Sequence, residues 1–371
     1  MSLRALILLA LLSPPARAGE FPLPQLDLDT WRPLSYACGL ASEPPLIDGR
    51  LDDAAWAQVD WTADFVDITG DSARAPRFRT RAKLLWDSQC LYIGADMEEP
   101  HLWATLTERD AVIYHDNDFE VFIDPDGDTH DYYELEINAL GTVWDLLLTA
   151  PYRDGGHAVD NWDIAGLKSA VHLDGTLNDP SDIDRGWSVE LALPWSALTE
   201  CASQPMHPDI GESWRLNFSR VEWTLDVEGG RYRKRVDAAT GTHLPEDNWV
   251  WSPHGLVAMH YPELWGYVRF AGKGSAAHEE AEPGRPLGTL RLFYYAQKRH
   301  HAKHGEYCKE RSQLPGLTRG TTGWKGIDWT VYGQRYLACE GYRRDARNPL
   351  LNTIDESGRH LRRPLASKHG Y

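Results

Sequence analysis

The sequence predicts an all-β chain: an antiparallel, jelly-roll-like β-sandwich over residues 36–270, with a small α+β module over 290–371. Three observations carry this. Apolar and polar side chains alternate with period two in about ten short runs between residues 36 and 270. Clusters of Gly, Asp, Asn and Pro separate those runs, as turns require. No long amphipathic helical pattern interrupts them, which argues for packed antiparallel sheets over a parallel sheet with crossover helices.

Taken in order, the N-terminal segment reads as an export signal. Arg4 precedes the apolar run Ala5 to Leu12, Pro14 and Pro15 break it, and Ala16-Arg17-Ala18 offers small residues for cleavage after Ala18. That run is too short to span a bilayer, so a secreted or periplasmic protein without a membrane span is expected. Residues 19–35 are Pro-rich and aperiodic, an extended lead-in. In Thr80 to Trp86, Ala82, Leu84 and Trp86 share a face; Asp87-Ser88-Gln89 turns the chain; Leu91, Ile93, Ala95 and Met97 alternate on the return strand. Phe119, Val121 and Ile123 form one apolar face, and Tyr133, Leu135 and Ile137 another. Further strands are expected near 142–148, 167–173, 187–192, 213–221 and 266–270. Short helical signals fall at Asp52 to Val59 and Pro194 to Leu198. Residues 271–289 have linker composition. From Leu290 to His304 the period changes to helical, with Leu290, Phe293, Tyr294 and Gln297 on one stripe and Gly305 as the stop.

The length of 371 residues allows two or three domains. A formal net charge of -17 argues against nucleic acid as a partner. The chain carries 16 Trp and 16 Tyr against 8 Phe. Trp and Tyr replace Phe where a ring needs an apolar face and a polar edge, which is also what a pyranose asks of its site. The five cysteines lack CxxC spacing, so no zinc or redox motif appears. Cys308 and Cys339 are the pair that could staple the C-terminal region.

Four segments carry a family resemblance. They are Pro45-Leu46-Ile47-Asp48-Gly49-Arg50-Leu51-Asp52-Asp53-Ala54-Ala55-Trp56; Leu85-Trp86-Asp87 with Leu91-Tyr92-Ile93; Asp116 to Asp124 with Glu136 to Gly141; and Trp249-Val250-Trp251-Ser252-Pro253. In this order they resemble the family 9 carbohydrate-binding modules, over residues 36–270. The first segment also has a sufficient structural reading, in which Asp48-Gly49 turns the chain and Trp56 is buried.

Alternation points Glu120 away from the core, and Glu134, Glu136 and Asn138 away from it together. A solvated outer face is what this pattern predicts by default; carboxylates and an amide on one open face can equally bind vicinal hydroxyls. The resemblance implies a sugar clamped between two rings, which match Tyr114 and Trp251, with polar contacts matching Glu120 and Asn138. Glu136 stands where the family has an arginine, and Tyr114 where it has a tryptophan. An arginine only donates and a carboxylate only accepts, so the hydroxyl pattern read here must differ. Trp144 is a further candidate ring, and Trp103, Trp162, Trp223 and Trp249 could extend a platform.

Asp124, Asp126 and Asp128 place carboxylates at every second position, spacing that can wrap Ca²⁺, although the glycine is misplaced for an EF-hand. The family resemblance implies structural calcium as well, and a plain hairpin turn explains the same residues. The function implied is non-catalytic binding of an oligo- or polysaccharide. Two alternatives stand beside it: a glycoside hydrolase, which needs a recognisable carboxylate pair, and a haem-binding electron carrier, which needs axial His or Met ligands.

Overall fold

The computed structural model describes residues 21–70, 73–202, 206–273, 287–342 and 350–364. The expected signal peptide and most of the expected linker lie outside them. Two compact units divide the described chain. The larger holds Thr30–His254 and His260 onward to Leu287; the smaller holds the residues up to Asp29, Gly255–Met259 and those from Gly288 on.

The larger unit is built on β1 (Ser35–Leu40), β2 (Val66–Asp67), β3 (Thr80–Trp86), β4 (Cys90–Glu98), β5 (Asp118–Asp124), β6 (Tyr132–Asn138), β7 (Val143–Leu148) and β8 (Ala158–Val159). Then come β9 (Lys168–Asp174), β10 (Gly186–Pro194), a single helical turn α1 (Trp195–Leu198) and β11 (Ser213–Glu222). β12 (Leu225–Glu228), β13 (Arg231–Lys234), β14 (Asp247–Val250) and β15 (Gly266–Phe270) complete it.

One sheet runs β8-β7-β6-β5-β11-β15, with β14 on the far half of β11 and β2 on β14; the other runs β3-β4-β10-β9. β1 joins them, its first four residues pairing β15 and its last two pairing β3, both in parallel. The remaining pairs are antiparallel. Phe119, Val121, Ile123, Tyr133, Leu135 and Ile137 share one buried cluster with Leu84, Ile93, Val189 and Leu191 of the second sheet. Burying each such side chain contributes about 1.5–3 kcal/mol.

The Ile47-Asp48-Gly49 segment is anchored by a residue far along the chain. Glu190 on β10 accepts from the backbone N–H of Asp48 (2.9 Å) and Gly49 (2.7 Å) at one oxygen, and from Trp56 Nε1 (2.6 Å) at the other. Gly49 has φ of 89°, and a Cβ there would lie 2.6 Å from the His172 backbone nitrogen, so only glycine fits. Trp56 is buried, as its motif predicts.

In the smaller unit, α2 (Thr289–His304) packs beside a meander of β16 (Ile327–Tyr332), β17 (Arg335–Tyr342), β18 (Leu350–Asp355) and β19 (His360–Pro364). Phe293 sits 5.3, 4.8 and 5.8 Å from the rings of Trp324, Trp329 and Tyr336. Gln297 exchanges two hydrogen bonds with the Cys308 backbone (2.9 and 2.8 Å). Phe21, in the expected lead-in, packs edge-on against Tyr294 at 6.0 Å. Gly305 ends α2 with φ of 76°. Cys308 and Cys339 are not joined: both are free thiols.

Candidate functional site

The candidate site stands on the face of the first sheet that looks away from the core. Registers put Trp144, Glu136, Glu120, Ser219 and Val250 in one row across β7, β6, β5, β11 and β14. On one side Asn138 pairs with Asp118 and Val221 with Asn248, the Val221 N–H donating to the Asp118 carboxylate; Leu146, Glu134, Phe122 and Asn217 form the row on the other. Alternation is obeyed, but this is not a solvated face. Every residue of β5 and β6 is buried on both sides.

The cover comes partly from the segment before β5. Asp116 takes the backbone N–H of Thr105 (2.6 Å) and Leu106 (2.8 Å). Asn138 donates to Leu106 O (2.9 Å) and to Asp116 (3.0 Å) while accepting from Leu140 N and Thr142 N (both 3.1 Å). Its amide is therefore spent and wholly buried. This corrects the expectation for Asn138: it pins the covering loop and has no valence left for a ligand.

Tyr114 lies half-buried on a single 3-10 turn, Ile113–His115, its backbone N–H donating to Glu136 (2.9 Å). Its ring lies 6.5 Å from that of half-buried Trp144, at 30°. Trp223, also half-buried, donates from Nε1 to Tyr114 O (2.9 Å), and Lys234 on β13 rests its ammonium 3.3 Å from the Trp223 ring centre. Burial, then the carboxylates of Glu136, Glu246, Glu120 and Glu134, push the Tyr114 phenol up to about 12.

Trp251 does not belong here. It is 2 % exposed and packs in the core at 6.0 Å from Phe218, flat against Gly266, where a Cβ would strike its ring. The register explains why. Ser219 of β11 pairs with Val250, so Val250 is on the site face and Trp249 and Trp251 point inward beside Phe218. Trp103 and Trp249 are likewise buried. Trp162 stacks on core-facing Tyr133 at 4.8 Å, outside the site.

The electrostatics are one-sided. Asp118, Glu120, Glu134 and Glu136 are all buried. Desolvation pushes Glu120 up to about 7, with Glu246 adding to it. Asp118, Glu134 and Glu136 are held well above the ordinary carboxylate range by burial first and by Glu120 next. Burial lowers Lys234 to about 8 against the pull of Asp116, Glu246 and Asp118. Asp118 shares the parity of Glu120 and was legible on that count; Lys234 comes from β13 and Glu246 from the segment before β14, and no local pattern marks them.

Asp124, Asp126 and Asp128 come together in the β5–β6 turn, with one oxygen from each lying within 4.8 Å of the others. Asp124 caps the N–H of Gly127 (2.9 Å) and Thr129 (3.0 Å), and Asp128 that of His130 (2.8 Å). Carboxylate oxygens keep lone pairs beyond one such bond, so this set fits a hard cation as well as a capped turn.

Residues 47–217 match the family model described as carbohydrate family 9 binding domain-like. The chain is 30% identical over 156 residues to "Exoglucanase XynX" of Acetivibrio thermocellus, covering 42% of this chain and 12% of that protein. It is 28% identical over 155 residues to "Endo-1,4-beta-xylanase A" of Thermoanaerobacterium saccharolyticum, covering 42% of this chain and 11% of that one. The match thus spans about an eighth of these relatives. A solved carbohydrate binding module family 9 from Caldicellulosiruptor kristjanssonii, in complex with cellotriose, aligns over 68% of this chain and all of its own at 17% identity, with a TM-score of 0.40. The stretch from Ile47 to Asn217, which holds β2 to β10 and the first half of β11, belongs to the carbohydrate family 9 binding domain-like family.

Proposed function

We propose that this chain binds an oligosaccharide without reacting on it, with Tyr114 and Trp144 as the aromatic platform and Glu120 and Glu136 as the polar groups beneath it. The observation that carries this is the Tyr114–Trp144 pair itself, two half-buried rings set against a row of carboxylates. Trp144 adds a second sign: its Nε1–H is buried and has no acceptor, although its cross-strand neighbour is Glu136. A sugar hydroxyl can both accept from such a donor and donate to a carboxylate.

The mode differs from a clamp. Ring centres 6.5 Å apart are in aromatic contact with one another. The sugar's C–H face lies on the pair, above the row that holds Glu120 and Glu136. A single small platform supports modest affinity. The relatives named as an exoglucanase and an endo-1,4-beta-xylanase favour a glucose or xylose chain as ligand. Export by the N-terminal signal and a structural Ca²⁺ at Asp124, Asp126 and Asp128 belong to the same proposal. Calorimetric titration with cellotriose and xylotriose tests it. Binding to the full chain should disappear in Tyr114→Ala, while unchanged affinity in that variant would remove the platform from the reading.

A further inference from the structure

We infer that Asp118, Glu120 and Glu136 hold a divalent cation of the hard, oxygen-liganded class, with Ca²⁺ the best fit. The site lies under the Tyr114–Trp144 pair, and the inference does not depend on sugar binding. One oxygen from each carboxylate lies within 4.8 Å of the other two. Ca²⁺ binds oxygen at about 2.3–2.6 Å, so two oxygens on one ion stand at most about 4.6–5.2 Å apart. Mg²⁺ demands near-ideal octahedral geometry and keeps several waters, for which this covered face is less suited.

Charge points the same way. Asp118, Glu120 and Glu136 are 0%, 4% and 1% exposed, and Glu120 lies directly across the strand pair from Glu136. Like charges in that position repel, and buried carboxylates are costly unless paired or bound to metal. Among the described residues, neither Lys nor Arg makes an ion pair with any of the three. The Arg220 guanidinium pairs with Glu99 and Glu222 (both 2.9 Å), and the Lys234 ammonium rests on Trp223.

A separate observation marks a missing ligand. Asp118 Oδ1 accepts from Val221 N at 3.2 Å, but Oδ2, equally sealed from solvent, has no hydrogen-bond partner. An ion among the three carboxylates supplies that partner.

The test uses the full chain, stripped with EDTA and dialysed, then titrated with CaCl₂ by calorimetry and followed by thermal unfolding. Asp126→Asn serves to weaken the separate turn site, and Glu120→Gln and Asp118→Asn to remove this one. Asp126→Asn should retain a Ca²⁺ site that Glu120→Gln and Asp118→Asn lack or bind roughly 10–100-fold more weakly. Ca²⁺ should raise the Tm of Asp126→Asn and leave that of the Glu120→Gln, Asp126→Asn double variant unmoved. Glu120→Gln without metal should be at least as stable as the parent, since it removes a buried like charge, so misfolding will not mimic the result. The inference is overturned if Glu120→Gln and Asp118→Asn keep the parent's Ca²⁺ stoichiometry and Tm shift, or if the parent binds no Ca²⁺ and the carboxylates merely share protons. A cellotriose titration of the stripped protein reads sugar binding apart from metal binding, so failure of the metal inference and failure of the sugar reading are told apart.

Discussion

Trp251 and Tyr114 are both aromatic, yet the sheet puts them under opposite constraints. Trp251 fills the core against Phe218 and Gly266, so Trp251→Ala should cost about 3–5 kcal/mol, read as a lowered midpoint in urea. Tyr114 is half-buried and tied to the fold chiefly through its backbone; Tyr114→Ala should move that midpoint much less and abolish sugar binding. Equal destabilisation by the two would contradict this division. Glu120 makes a pH prediction. Its carboxyl titrates near 7 in the folded chain against 4.5 when free. The folded state therefore keeps a proton that the unfolded chain releases, and stability of the metal-free protein falls as pH rises through that window. The full effect of this one group is about 3 kcal/mol. Asp118, Glu134 and Glu136 act in the same direction, and Lys234, lowered to about 8, titrates above the window. Unfolding midpoints at pH 5 and pH 7.5 in EDTA should differ accordingly, and Glu120→Gln should shrink the difference. A flat profile would place the titration elsewhere.

At the scale of elements, the sequence was informative wherever a strand has one apolar face. Alternation located β3 to β7 and the core side of β5 and β6, and the change of period located α2. It did not supply partners. β1 pairs in parallel with both sheets, and nothing in six residues says so. Nor did it distinguish a polar face open to water from one roofed by loops, because the roof of β5 and β6 is set by Asn138 and Asp116 binding a segment about thirty residues upstream of Asn138. The assignment of Trp251 followed motif position, whereas parity with Phe218 across β11 and β14 decides its direction. Glu190 was silent for the same reason, lying some 140 residues from the turn that it holds. Glu190→Ala would leave two backbone N–H groups and an indole N–H without acceptors in a region largely closed to water. At about 1–3 kcal/mol for each unsatisfied donor, the loss should reach several kcal/mol. Glu190→Gln keeps one acceptor oxygen and should lose roughly half as much. Denaturation midpoints in that order would support Glu190 as the anchor; matching values for the two variants would not.

For the whole molecule, the family match and the folding unit have different ends. The match stops at Asn217, within β11. The far half of that strand pairs with β14, its near half with β15, and β15 carries β1. A fragment ending at 217 would lose Trp249, Trp251, Val268 and Phe270 from the core and expose an unpaired edge of β5, the kind of edge that promotes aggregation. It would also lack Trp223, Lys234 and Glu246, which wall the candidate site. A fragment covering 30–273 keeps every strand of the sandwich and every residue of the platform. We therefore expect residues 30–217 to be insoluble or unfolded, and residues 30–273 to unfold cooperatively and bind cellotriose with the affinity of the full chain. Circular dichroism and calorimetry on the two fragments decide the matter. If the shorter one folded and bound sugar, β14 and β15 would be dispensable and Trp223, Lys234 and Glu246 would play no part in recognition; if the longer one lost binding, the smaller unit would have to contribute to it.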